Sequence, residues 1–107
     1  MRYKIFFHYG DELGLKTKVQ KAQAWLGDDG LHIESDGRPL LLIHNCDLLS
    51  AELFRLHGLC RVIRVEHRGG RLFLSVIRFL IAGQFMLVNF YKTGELQLRL
   101  AAIAARN

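Results

Sequence analysis

Apolar side chains recur at every second position through most of this chain, and only near the C-terminus does the spacing become helical. A strand presents alternate side chains to opposite faces, so this pattern commits the chain to half-buried β-strands joined by short turns. Residues 2–9 are the cleanest case. Tyr3, Ile5, Phe7 and Tyr9 fall on one face, and Arg2, Lys4, Phe6 and His8 on the other. Gly10, Asp11 and Gly14 then interrupt the pattern. Lys18 to Leu26 fits two templates: Ala22, Ala24 and Leu26 line one face of a strand, while Val19, Ala22 and Leu26 also suit a helix. We take the strand. Gly27-Asp28-Asp29-Gly30 is a turn cluster, and beyond it Leu31 and Ile33 alternate with His32 and Glu34, which makes a hairpin.

Asp36-Gly37 marks the next turn. Pro39 opens the following strand, where a missing N–H does least harm, and the run Leu40 to Ile43 is expected to be a buried strand. Between Asp47 and His57, Leu48, Leu49, Leu53 and Leu56 permit either a short helix or an irregular edge strand. In Arg68-Gly69-Gly70-Arg71 the two glycines predict a two-residue loop with positive φ at both. That loop sets Arg68 opposite Arg71, Val65 opposite Leu74 and Ile63 opposite Val76. Gln84 to Tyr91 is apolar on both faces and is expected to be a central strand. A helix follows, with Thr93 as N-cap, Glu95 near its positive end, and Leu96, Leu100 and Ile103 as an apolar stripe. The expected architecture is α+β and mainly β. It is a bent antiparallel sheet or small open barrel of about seven strands, capped by one C-terminal α-helix, in a single domain over residues 1–107.

Three segments in this order carry a family resemblance: Asp29-Gly30-Leu31-His32-Ile33, then Gly69-Gly70-Arg71-Leu72-Phe73-Leu74-Ser75, then Gly83-Gln84-Phe85 with Asn89 before Thr93. Over residues 18–106 the chain resembles the pleckstrin-homology-like (PH-like) superfamily, in particular bacterial PH-like and GRAM-like domains. The resemblance implies a non-catalytic binding or scaffolding module for phosphoinositide headgroups, peptides or protein surfaces. PH domains that hold phosphoinositides place Lys and Arg in the loop joining their first two strands. The turn matched to it here, Gly27-Asp28-Asp29-Gly30, carries two carboxylates. The tryptophan usual in the C-terminal helix is also missing, the single tryptophan being Trp25.

Composition narrows the partners further. Half the residues are hydrophobic, 23% are charged and there is one proline, which excludes a disordered or low-complexity chain. Fifteen Lys and Arg against ten Asp and Glu leave a formal charge of +5, which favours anionic partners without naming one. Basic residues gather around one hairpin, at Arg61, Arg64, His67, Arg68 and Arg71. Arg64, Arg68 and Arg71, with Lys16, Lys18 and Lys21, form a candidate site for an anion or an acidic lipid headgroup. A hairpin kept soluble by charge accounts for the same residues. Nucleic acid is the less favoured alternative: Phe6, Trp25 or Tyr91 would have to supply base stacking, and no RNA- or DNA-binding signature accompanies them. Self-association or a protein partner is expected from Phe6, which stands opposite the apolar face of the first strand. A second copy would cover it in a homodimer, unless it packs under the segment 47–57.

Catalytic chemistry has little to stand on. His8, His32, His44, His57 and His67 show no metal-binding spacing, and His44 with Cys46 makes one pair where zinc needs two. Cys46 lies beside His44 and Asp47 but follows an apolar run, so Cys46 and Cys60 are expected to be buried thiols and not nucleophiles. Asp11-Glu12 and Asp28-Asp29 are turn carboxylates, Ser50 and Ser75 lack a nucleophile-elbow context, and no glycine-rich phosphate loop is present. The expectation is a protein that is not an enzyme and holds no metal or cofactor. The N-terminus lacks the features of a signal peptide and no apolar run is long enough to span a bilayer. A cytoplasmic location is expected, peripheral to the membrane if lipid is bound.

Overall fold

The computed structural model describes residues 2–10, 20–56, 59–81, 85–88 and 90–107. In chain order these form β1 (Arg2–Tyr9), β2 (Gln20–Leu26), β3 (Gly30–Ser35), β4 (Arg38–His44), a 3-10 turn (Asn45–Asp47), β5 (Leu48–Leu56), β6 (Leu59–His67), β7 (Gly70–Ile81), β8 (Phe85–Val88) and α1 (Phe90–Ala105). All strand pairs are antiparallel, seven of the strands run in the order β4-β3-β2-β1-β7-β6-β5, and β8 pairs with β7. Two meanders, β1–β4 and β5–β7, are therefore joined side by side through β1. The outer strands β4 and β5 are consecutive in sequence but not paired, so the sheet bends without closing. This is the bent, open antiparallel sheet with a C-terminal helix that the sequence implied.

β1 takes the middle of the sheet, and its alternation explains why. Tyr3, Ile5 and Phe7 are buried while Arg2 and Lys4 are exposed. Ile5 stands opposite Ala22 of β2 and Val76 of β7. The resemblance began at residue 18 and left this strand outside, yet both meanders hang on it. Phe6 is half-buried on the opposite face, in register with Lys21 and Ser75. In the sheet order β7 and β6 stand between β1 and β5, and β1 is not an edge awaiting a second copy.

Inside the bend, Ile5, Leu31, Ile33, Leu48, Ile63, Val65, Leu72 and Leu74 meet Leu96 and Leu100 of α1, all essentially inaccessible to solvent. Burying each such side chain contributes about 1.5–3 kcal/mol. The expected stripe of Leu96 and Leu100 is confirmed, with Ile103 and Ala104 partly buried beside it. Thr93, however, is not the N-cap. The helix starts at Phe90, and Thr93 is fully buried within its first turns. Between the last β6–β7 pair, Ile63–Leu74, and the first β7–β8 pair, Ile77–Val88, Val76 lacks a strand partner on that side. The Thr93 hydroxyl fills the gap, accepting from the Val76 N–H at 3.1 Å and donating to its C=O at 3.3 Å.

Several local expectations need correction. The β6–β7 hairpin pairs His67 with Gly70, Glu66 with Arg71, Val65 with Leu72 and Ile63 with Leu74, so its loop is Arg68-Gly69. The register differs by two residues, which preserves the faces. Of the two glycines only Gly70 has positive φ, at 144°. Tyr9 closes over this loop: its hydroxyl donates to the Gly69 carbonyl at 2.7 Å, and a Cβ on Gly70 would come within 2.9 Å of the Tyr9 oxygen. The Asp36-Gly37 turn forms as expected, with φ of 52° and 77°. Of the segment 47–57, Leu48–Leu56 forms the edge strand β5 with two register shifts, Asp47 ends the 3-10 turn, and His57 lies outside the described residues. β8 is a four-residue strand paired with β7 and not a central strand, and Tyr91 belongs to the helix, where it is 76% exposed. Cys46 is exposed in the 3-10 turn and not buried; the side chain of Cys60 lies outside the described residues.

The largest correction concerns β4. Leu40 to Ile43 was expected to be buried, but Leu40 is 46% and Leu42 38% exposed, and only Ile43 is fully enclosed. An edge strand has a neighbour on one side only, and its outer face is open wherever no helix covers it.

Candidate functional site

The basic residues come first, because their charge made them the leading candidates. Arg64 Nη2 donates to Glu52 Oε2 at 2.6 Å, across from β6 to β5. Arg71 gives two hydrogen bonds, of 3.0 and 2.6 Å, to Glu66 Oε1, its partner in the β6–β7 register. Arg68 is 72% exposed at the tip and reaches Asp47 at 3.8 Å. Each arginine therefore has a carboxylate, which an incoming anion would have to displace. Lys21 is exposed on β2, opposite Phe6 of β1. Lys16 and Lys18 lie outside the described residues, as does His57. With β1 now the first strand, the first two strands are joined by residues 10–19, and the acidic turn at 27–30 joins the second and third. The stretch 10–19 carries Asp11 and Glu12 beside Lys16 and Lys18, so its charges cancel.

A different surface emerges on the outer face of β1–β4. Arg2, Trp25, His32 and Leu42 form one row across four strands, each opposite the next in register. Adjacent strands lie about 4.8 Å apart, close to the separation of stacked rings. The His32 imidazole accordingly stacks on Trp25 with centroids 4.8 Å apart and planes 8° from parallel, and the Arg2 guanidinium carbon lies 4.2 Å from the Trp25 ring centre. Both ends of this stack are held by carboxylates: Arg2 bonds Glu34 and, at 3.2 Å, Gln23, and His32 Nε2 meets Asp29 Oδ1 at 2.6 Å. The hydrogen bond from His32 holds the Asp29 carboxyl below its usual range. With both faces covered, Trp25 has no free face on which a nucleobase could stack, which removes one support for nucleic-acid binding.

The far end of the row is apolar and open. Trp25 and His32 form one wall of a groove of about 290 Å³, and Pro39, Leu40 and Leu42 of β4 form the other. The main chain adds a second feature. The Asn45 N–H donates to the Asp29 carbonyl at 2.9 Å, which sets the phase of the β3–β4 ladder. In that phase Leu31 with Ile43 and Ile33 with Leu41 exchange both main-chain bonds, and the N–H and C=O of Leu42 and His44 point away from β3. The groove thus borders a strand edge with donors and acceptors directed outward. The sequence showed four consecutive aliphatics here but not that they edge the sheet; Pro39 was the signal, since proline is tolerated at an edge and not in a central strand.

One further group stands apart. His67 is buried; its Nδ1 accepts from the Gly69 N–H at 3.2 Å, its ring meets Tyr9 edge-on at 5.8 Å, and its Nε2 has no hydrogen-bond partner among the described residues. Burial lowers its pKa, against a smaller opposing pull from Asp47. Among the described residues no three His, Cys, Asp or Glu side chains gather in a metal-binding group, and no helix is long and apolar enough to cross a membrane. Compared with known proteins, the chain matches no family model and no curated protein.

Proposed function

We propose that the protein is a non-catalytic interaction module of the PH-like superfamily that binds by accepting an extended chain segment along β4. The observation that carries this is the open β4 edge, where outward main-chain groups at Leu42 and His44 adjoin the groove walled by Trp25, Leu40 and Leu42. Strand addition uses these two features together: main-chain bonds supply affinity, and a pocket for alternate side chains supplies selectivity. Membership of the superfamily is supported by the strand order and the C-terminal helix. The groove lining offers one titratable side chain, His32, already engaged by Asp29, which favours binding over chemistry.

Selection against a displayed library of random ten-residue peptides tests the proposal. Enrichment of sequences with apolar residues at alternate positions is expected, with capture lost in Leu42→Lys. Flotation with neutral and acidic phospholipid vesicles runs beside it. Binding to acidic vesicles that disappears in an Arg68→Glu, Arg71→Glu variant, with no peptide enriched, would replace this proposal by an acidic-lipid module.

A further inference from the structure

We propose that the occupant of the β4 edge is a second copy of this chain, paired antiparallel about a two-fold axis through Leu42; this rests on β4 being the docking edge. Three observations lead there. First, the sheet's two edges are treated unequally. The carbonyls of Leu48 and Ala51 in β5 are taken by Asn107 at 2.8 Å and Gln97 at 2.8 Å, and α1 packs along that strand. Nothing among the described residues does the same for β4. Second, Leu40, Leu41, Leu42 and Ile43 are apolar on both faces, the composition of a strand with neighbours on each side, and no charge interrupts them.

Third, the geometry selects one register. Pairing is bounded at one end by Pro39, which has no N–H and sits at the bulge where β3 and β4 slip register. At the other end Asn45 leaves the strand for the 3-10 turn. The usable window is residues 40–44, and its centre is Leu42. Leu42 is in the phase whose main-chain groups point outward, so on the axis its N–H and C=O would exchange bonds with those of its own copy. Leu40 would then face His44 of the second copy, and Leu41 would face Ile43. A two-fold contact places the same side of both sheets together, so Leu41 meets Ile43 on one face, and on the other Leu42 meets its own copy with Leu40 against His44 on either side.

The size of the contact sets its strength. Five residues span about 17 Å of strand, and an edge that short buries well under the roughly 800 Å² per partner of a durable interface. A weak, concentration-dependent dimer follows.

Light scattering on the intact protein, from about 1 μM to about 1 mM, should show the mass rising from one chain toward two, and Leu42→Lys should weaken association at least about tenfold by opposing two charges across the axis. Oxidative cross-linking then tests the register. In a Cys46→Ser background, Leu42→Cys places two thiols at a Cα separation of about 5.5 Å, within disulfide range, while Leu40→Cys leaves them about 13 Å apart along the strands. Leu42→Cys should cross-link and Leu40→Cys, at the more exposed position, should not. A one-chain mass at every concentration overturns the self-pairing, and peptide capture at β4 would then still stand on its own. A dimer that is indifferent to Leu42→Lys, or that cross-links equally through Leu40→Cys, places the contact elsewhere and also overturns it. Absence of both a dimer and peptide capture would overturn the docking edge itself.

Discussion

The two edge strands, β4 and β5, begin from similar material and differ in what covers them. Each carries leucines on both faces, and each is hydrogen-bonded to one neighbour only. β5 is buttressed by α1, with Leu48 and Ala51 buried and their carbonyls bonded to helix-end and helix side chains. Both strands keep leucines in solvent, Leu40 and Leu42 on β4 and Leu49 and Leu53 on β5, but among the described residues no helix side chain takes a carbonyl of β4. Edge status is therefore a matter of where the single helix lands, and the helix lands on β5 because Thr93 ties its first turns to Val76 of β7. A sheet with two edges and one helix leaves one edge without that cover among the described residues.

The contrast can be broken most forcefully from the helix side. Leu100→Ala should destabilise the protein by about 3 kcal/mol in urea unfolding, whereas Leu42→Ala should change monomer stability by no more than about 0.5 kcal/mol. Comparable losses at the two positions would mean that β4 is covered after all. Next in size is the tether. Thr93→Val keeps the shape but strands the Val76 N–H and C=O in the interior, a cost of about 2 kcal/mol that Thr93→Ser should largely restore.

A smaller effect should appear in acid, at the end of the sheet where β5 meets the β6–β7 loop. The folded-state pKa of His67 is lowered by burial, so the unfolded chain binds its proton first. Stability is then level above the unfolded value near 6.5 and falls as pH drops below it toward the folded value. Protonation also turns the Gly69 N–H against a protonated Nδ1, so exchange of the Gly69 amide, measured against a core amide such as that of Leu74, should accelerate in the same range. His67→Gln should flatten the dependence. Smallest of all is the pair across β5 and β6: Arg64→Ala is expected to cost under about 0.5 kcal/mol, since the exposed bond to Glu52 is screened by water.

How much of this was legible depends on how far apart the deciding residues are. β1, β2, β3 and the turn at Asp36-Gly37 were readable because alternation and turn chemistry are local. Leu96 and Leu100 were readable because one face of a helix must be apolar to bury itself. Thr93 was misread because a hydroxyl ahead of such a stripe resembles a cap, and only the gap in the β7 ladder shows what it bonds. The arginines read as a free basic cluster because Glu52 and Asp47, which neutralise Arg64 and Arg68, lie on the other side of a strand pairing the sequence does not state. Leu40 to Ile43 looked buried for the same reason: four aliphatics in a row report a face, while exposure is decided by the neighbours.

The central place of β1 also sets the order in which the molecule can assemble. Ile5 pairs with Val76, about 70 residues further along the chain, whereas every other strand pairing on the main path joins consecutive strands. The two meanders can each gather through connections between consecutive strands, the longest of them residues 10–19, but the seam between them closes only when a far longer loop has paid its entropy. Collapse to two half-sheets should thus be fast and their union slow, and mutations along the β1–β7 seam should retard refolding more than equally destabilising ones within either meander.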